Sequence, residues 1–218
     1  MSLKAIIFDL DGTLGDTLPL CVEAYRRCTA ELTGRRPSAE EVTRHFGISD
    51  RGVLGALLGM GADDPALPIA RLVAIYRALH HEFVPAPFEG VLETPQALRA
   101  AGYKLGLITG KEAYTADPTL DIFGMQALFD WRAYGCPYLN VKDACLRAAL
   151  EHWQLRPDEL VYVGDAPSDI RLCHAVGVRI VNAAWAPAAA AEEAACLALA
   201  PDWRLDDIHQ LLPLIPSI

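Results

Sequence analysis

The sequence predicts an α/β fold, a doubly wound parallel sheet interrupted after its first strand by an all-helical insertion. Three observations carry that prediction. Short apolar runs at Leu3–Phe8, Tyr103–Ile108, Leu160–Val163 and Val178–Val181 have the length and flanks of buried strands. From Gly90 onward these runs alternate with helical stretches of 8–14 residues, the rhythm of parallel strands joined by crossover helices. Between Asp16 and Val84 no strand appears at all. A length of 218 residues suits one core plus a modest insertion.

In chain order, Leu3–Phe8 is a strand that stops abruptly at Asp-Leu-Asp-Gly, where a tight loop is expected. Four stretches with helical spacing follow, at 17–33, 39–46, 50–59 and 66–83, separated by Gly and Pro. Pro85-Ala86-Pro87-Phe88-Glu89-Gly90 is a stiff connection of the kind found between domains. A helix over 91–101 has Thr94-Pro95 in its first turn and leads into the strand Tyr103–Ile108. Helices over 113–124 and 141–154, the strand Leu160–Val163, a helix Ser168–Ala175 and the strand Val178–Val181 come next. An Ala-rich helix near 188–200 and a closing helix at 206–213 complete the chain, with no internal repeat.

Composition narrows the function. With 19 basic and 28 acidic residues the formal charge is −9, which argues against a general binder of nucleic acid or anionic membrane. The opening residues reach Asp9 after too short an apolar run for a secretory signal, and Glu192-Glu193 interrupts the Ala-rich segment, so no spanning helix is expected. Six cysteines (21, 28, 136, 145, 173 and 196) show no C-x-x-C pair and read as reduced, mostly buried thiols of a cytoplasmic protein.

The chemistry concentrates at strand ends. Asp9-Leu10-Asp11-Gly12-Thr13 places two carboxylates two residues apart, on one side of an extended segment, before a glycine that permits a sharp turn. Val161-Tyr162-Val163-Gly164-Asp165 again ends a strand on a carboxylate, with Asp169 four residues on, near the start of the next helix. Ligands of open α/β sheets bind beyond the carboxyl ends of the strands. Four carboxylates on one such rim repel one another unless a cation lies between them, and all-oxygen ligation suits Mg²⁺. Leu105-Gly106-Leu107-Ile108-Thr109-Gly110-Lys111 ends a strand in a hydroxyl and a glycine, able either to hold phosphate oxygens or to cap a helix. Only four lysines occur (4, 104, 111 and 142), and Lys142 opens the helix that leads into the Asp165 strand.

In this order the four motifs resemble those of the haloacid dehalogenase-like hydrolase superfamily, in particular phosphatases of the phosphoglycolate phosphatase type with a helical cap. The resemblance spans nearly the whole chain, to Pro201-Asp202-Trp203. It implies a Rossmann-like core formed by residues 1–14 and 89–218 and a helical cap over 15–88. It also implies a Mg²⁺-dependent hydrolysis of a small phosphorylated metabolite, by a monomer or homodimer. Asp9 then matches the nucleophile that becomes an aspartyl-phosphate, and Asp11 the general acid and base. Thr109, Gly110 and Lys142 match the phosphate-holding groups. Asp165 matches a metal ligand beside Asp9 and the carbonyl of Asp11, with Asp169 in the same ligand set directly or through water. Gly110, Ala166-Pro167 and the context of Lys142 depart from the commonest pattern.

Branches of the superfamily separate on particular residues. Relatives that cleave carbon–halogen bonds lack the second aspartate, whereas Asp11 is present here. Those that cleave carbon–phosphorus bonds use a cap lysine, and residues 15–88 contain none. A phosphosugar mutase shares all four motifs and stays open, as does a binding module of weak activity. The stretch Thr13-Leu14-Gly15-Asp16-Thr17 favours the phosphatase. The cap holds eight arginines against nine acids, so it is no basic clamp for a polyanion. Within Arg44–Arg51, Gly47 and Arg51 are the candidates for reading the substrate, and loss of Arg51 is expected to weaken anionic substrates selectively. His80-His81 reads as a solvent-facing helix end, and Trp131–Tyr134 as a possible rim of the site.

Overall fold

In the computed structural model, which describes residues 2–218, six strands form one sheet in the order β3-β2-β1-β4-β5-β6. They are β1 Ala5–Phe8, β2 Lys104–Ile108, β3 Trp131–Ala133, β4 Leu160–Gly164, β5 Arg179–Ala183 and β6 Trp203–Leu205. All five pairings are parallel. β1 lies at the centre because all four of its side chains are apolar and buried, as a strand covered on both faces requires. Its alternate residues feed two cores. Ile6 and Phe8 pack with Leu98, Leu120 and Leu211 on one face, while Ala5 and Ile7 pack with Leu146, Ile170 and Cys173 on the other.

The chain leaves β1 for β2 and β3 on one side and returns to β4, β5 and β6 on the other. Phe8 is in register with Val163 of β4 and Leu107 of β2. The carboxyl ends of three central strands therefore open onto one crevice, where the strand order switches. The helices α5 Glu93–Ala100, α6 Ala113–Ile122, α7 Lys142–Trp153, α8 Pro167–Val176, α9 Ala189–Ala198 and α10 Leu211–Leu214 belong to this α/β part.

Between β1 and β2 the chain builds the expected helical insert: α1 Leu18–Thr33, α2 Ala39–Thr43, α3 Asp50–Leu58 and α4 Ile69–Phe83. α2, only five residues long, starts at a reciprocal cap in which Ser38 Oγ accepts from Glu41 N and Glu41 accepts from Ser38 N. The insert rests on α6. Tyr76 Oη and His80 Nε2, both on α4, meet Thr119 Oγ1 at 2.7 and 3.2 Å. His80 is thus fully buried between the rings of Tyr76 and Phe123, not solvent-facing as its place at a helix end suggested. Burial lowers its pKa.

Two strands escape the apolar-run criterion. β3 and β6 are three residues long, half-buried and centred on an arginine, as short edge strands often are. Trp131–Ala133 is accordingly the sheet edge, not a rim of the site. The closing segment is a single helical turn between two 3₁₀ turns. Among the described residues no helix is long and apolar enough to cross a membrane.

Candidate active site

β1 ends by pointing Asp9 into the crevice, buried, with its Oδ1 accepting from Leu10 N at 2.8 Å. Gly12 has φ +79°, and a Cβ there would collide with the Asp165 carboxylate. Only glycine lets the loop turn this close to the end of β4. Thr13 Oγ1 completes the contact by donating to Asp165 Oδ1 at 2.9 Å. The loop after β4 is braced from behind. Asn182 Nδ2 donates to the carbonyl of Asp165 at 3.2 Å, and Trp185 Nε1 to that of Thr13 at 2.9 Å.

Lys142, in the first turn of α7, reaches across the sheet ends. Its Nζ donates to Asp9 Oδ2 at 2.7 Å and to Asp169 Oδ1 at 2.9 Å. Asp169 has no exposed surface, and its other oxygen accepts from Ala166 N at 3.3 Å at the start of α8. Asp169 thereby anchors Lys142 from behind while Asp9 meets it in front. Asp11 faces another way. Its carboxylate accepts from the Thr17 hydroxyl and lies 3.4 Å from Lys111 Nζ, outside the cluster formed by the other three aspartates.

The electrostatics follow from burial. Desolvation drives the Asp9 carboxyl well above the ordinary range, against the pull of Lys142. Asp165 rises to about 7 through burial and the nearby Asp169, partly opposed by the Thr13 hydrogen bond. For Lys142 burial alone would lower the pKa, but Asp169 and Asp9 more than offset it and hold the ammonium charged. One ammonium does not neutralise three crowded carboxylates, two of them buried. Asp9, Asp165 and Asp169 each bring an oxygen within 4.8 Å of the others, and this hard donor set fits a divalent cation of the Mg²⁺ type.

Thr109 and Gly110 arrive at the same rim from β2. Thr109 is buried, and its Oγ1 accepts from Lys111 N at 3.2 Å, so its hydroxyl shapes the loop while Gly110 faces the crevice. Lys111, which no motif marks as a site residue, is a buried part of the site as well. Its Nζ contacts Cys21 Sγ at 2.8 Å and lies over the Tyr76 ring, 4.7 Å from the centroid. Its signal was adjacency: it stands two residues after Thr109, on the same loop.

Between the rim and the insert lies an open cavity of about 1130 Å³. Gly47 lines it with φ +108° and open space beside it, so its backbone conformation, not crowding, favours glycine there. Of the expected residues, Thr109, Asp169 and Arg51 do not line the cavity. Thr109 and Asp169 are buried behind it, whereas Arg51 turns away and its Nε donates to Glu112 Oε2 at 2.9 Å. Glu112 also accepts from the Ser49 hydroxyl and from Arg51 N. Beside it, buried Asp50 accepts from Tyr25 Oη, Thr115 Oγ1 and Glu112 N at 2.6–2.8 Å. Ser49-Asp50-Arg51 is therefore a strap tying the insert to the start of α6.

Comparisons with known proteins agree with this geometry. The family model described as haloacid dehalogenase-like hydrolase matches residues 6–183. A phosphoglycolate phosphatase of Thiobacillus denitrificans is 34% identical over 185 residues, 81% of each chain. Pyrophosphatase PpaX of Bacillus mycoides is 27% identical over 100% of this chain and 99% of its own. Among solved structures, CbbY from Rhodobacter sphaeroides in complex with phosphate shares the fold at a TM-score of 0.76, with 23% identity and 96% of both chains covered. With a match over most of its length and the motifs at the strand ends, the chain belongs to the haloacid dehalogenase-like hydrolases and stands among their phosphatases.

Proposed function

We propose that the protein is a Mg²⁺-dependent phosphatase that hydrolyses small-molecule phosphate monoesters through an aspartyl-phosphate on Asp9, with residues 1–14 and 89–218 as the catalytic core and 15–88 as a cap. The observation that carries this reading is the buried Asp9 carboxylate, held at 2.7 Å by Lys142 on the floor of the crevice and beside Asp165. A relative named for phosphoglycolate hydrolysis supports the monoester class, and one named for pyrophosphate hydrolysis supports phosphoryl transfer to water more generally.

In this mechanism Asp9 attacks phosphorus and the bond to the leaving oxygen breaks. Asp11, positioned by the Thr17 hydroxyl and Lys111, gives its proton to that oxygen. Asp11 then takes a proton from water, the water oxygen attacks the phosphorus of the aspartyl-phosphate, and Asp9 and inorganic phosphate are released. Lys142 and the amides around Gly110 bind the phosphoryl oxygens, and Asp169 keeps Lys142 in place. Asp9, Asp165 and the Asp11 carbonyl would hold Mg²⁺, with Asp169 nearest behind them. When bound, the ion neutralises charge on the phosphoryl oxygens and between the carboxylates.

The test is phosphate release with Mg²⁺ from phosphoglycolate, sugar phosphates, nucleotides and an aryl phosphate, alongside Asp9→Asn and chelator-treated enzyme. Release that disappears in both controls is the expected result. A sugar phosphate isomerised with little free phosphate would instead identify a mutase.

A further inference from the structure

The two walls of the cavity differ in kind, and the upper wall bears on what the substrate carries besides phosphate. Phosphoglycolate has a carboxylate beside its phosphoryl group, and pyrophosphate a second phosphoryl. Recognition of either calls for a cation aimed into the cavity from the cap. The cap contains no lysine, and of its eight arginines only Arg26 lines the cavity. Arg26 is already bound, donating from Nε to the carbonyl of Pro37 at 2.9 Å and from Nη1 to Glu23 at 3.4 Å. Asp16, Glu23 and Asp50 line the same wall, where Glu23 is matched by Arg26, Arg27 and Arg36, so the wall turns no unengaged cation into the cavity.

Apart from Tyr25 and Thr43, most of the rest of that wall is apolar, with Leu18, Val22, Phe46, Ile48, Val53 and Phe83 its large side chains. Two of these, Phe46 and Phe83, remain 36% and 37% exposed at the edge of the cavity. Large side chains left exposed around a cavity mark an apolar surface awaiting a ligand. The positive conformation of Gly47 sets Phe46 and Ile48 on either side of one bend. On the core side Lys111 is engaged by Asp11, Cys21 and the Tyr76 ring, and Lys142 by Asp9 and Asp169. Arg171 also lines the cavity, but from α8 of the core, where it is exposed and solvent screens it.

We propose that the physiological substrate is a phosphomonoester of an uncharged, largely apolar alcohol, whose hydrocarbon part packs on Val22, Phe46, Ile48 and Phe83. The proposal rests on the phosphatase reading above and narrows it. A second anion on the leaving group finds no cap cation that Glu23 does not already hold and meets buried Asp50 on the same wall, whereas each methylene placed there leaves water. Fully buried, a methylene is worth about 0.8 kcal/mol, or roughly fourfold in kcat/KM.

The experiment measures kcat/KM with saturating Mg²⁺ for methyl, butyl and hexyl phosphate, phenyl phosphate, phosphoglycolate and 6-phosphohexanoate. The expected result is a rise of about two- to fourfold per methylene and at least a tenfold preference for hexyl phosphate over 6-phosphohexanoate. In Phe46→Ala, whose side chain is exposed and whose loss leaves the core packed, the hexyl-to-methyl ratio should fall by about fivefold. A preference for phosphoglycolate or 6-phosphohexanoate, or no dependence on chain length, overturns the proposal while leaving the phosphatase reading standing. Failure to release phosphate from every ester would remove both.

Discussion

The floor and the roof of the cavity solve opposite problems with the same residue types. On the floor, charges are crowded and deprived of water: Asp9, Asp165 and Asp169 gather around Lys142, and Asp11 lies beside Lys111. On the roof, charges are neutralised locally. Glu23 collects Arg26, Arg27 and Arg36, with Arg36 Nη2 at 2.8 Å from both of its oxygens, and these guanidiniums hold the Glu23 carboxyl below its usual range despite some desolvation. The contrast teaches where function lies. Charge left imperfectly compensated in a buried place is costly and is kept for chemistry. Charge paired off within the cap leaves an apolar surface to meet the substrate. The floor should therefore govern turnover and the roof selectivity.

The largest effects should come from breaking the floor. Asp9→Asn removes the nucleophile with little change in volume, and kcat should fall by about 10⁴-fold or more while the fold persists. Lys142→Met tests the electrostatics directly. It leaves Asp9 and Asp169 buried without their cation, a change that costs about 3–5 kcal/mol when one partner of a buried pair is lost. The metal-free variant should unfold roughly 10 °C below the parent near neutral pH. Adding Asp169→Asn should restore part of that stability but none of the activity. If the single variant melts with the parent, the cluster is solvated and the contrast with the roof collapses.

How far this was legible in the sequence depended on how each feature advertises itself. The central strands and their carboxylates were readable because buried strands are apolar runs, and because charges at their ends stand out against them. Asp9, Asp165, Asp169 and Lys142 do converge. The edge strands were not visible as apolar runs, yet they share a tripeptide, Asp130-Trp131-Arg132 and Asp202-Trp203-Arg204. In each, the aspartate accepts from the backbone of the neighbouring strand, at Leu105 N and Ile180 N. That repeat was an available signal. Arg51, by contrast, could not be placed from sequence, because its partner Glu112 lies 61 residues away. Nor could the burial of His80, since helical spacing marks a face without saying what covers it.

The strap joins floor to roof, and cutting it should blur the contrast by a moderate amount. Glu112→Ala leaves the Ser49 hydroxyl, Arg51 N and the Arg51 guanidinium without their shared acceptor. The cost should be about 1–3 kcal/mol, felt as easier opening of the cap and a several-fold rise in KM. Arg51→Ala should act in the same direction but more weakly, because its side chain is 41% exposed. Since Arg51 faces Glu112 and not the cavity, KM should rise alike for charged and uncharged substrates. A selective loss of anionic substrates would return Arg51 to the role of substrate reader.

The smallest effect belongs to His80, and its sign is fixed by burial. The ring sits neutral between Tyr76 and Phe123, with desolvation the main cause of its lowered pKa and nearby Lys111 adding to it. A histidine whose folded pKa lies below its unfolded value of about 6.5 contributes its full stability above that pH. The contribution is lost as the pH falls through the window below it. Asp9 and Asp165, raised by burial, work in the opposite sense over part of that range, so the pH profile of the parent alone is not diagnostic. The difference from His80→Gln is, because only the His80 contribution changes between them. The melting temperature of the parent, measured relative to that variant, should drop by about 1–3 °C between pH 7.5 and 5. A gap that stays constant with pH would mean that the ring takes up its proton without disturbing Thr119, and that the cap rests on the core less tightly than the buried contact at 3.2 Å indicates.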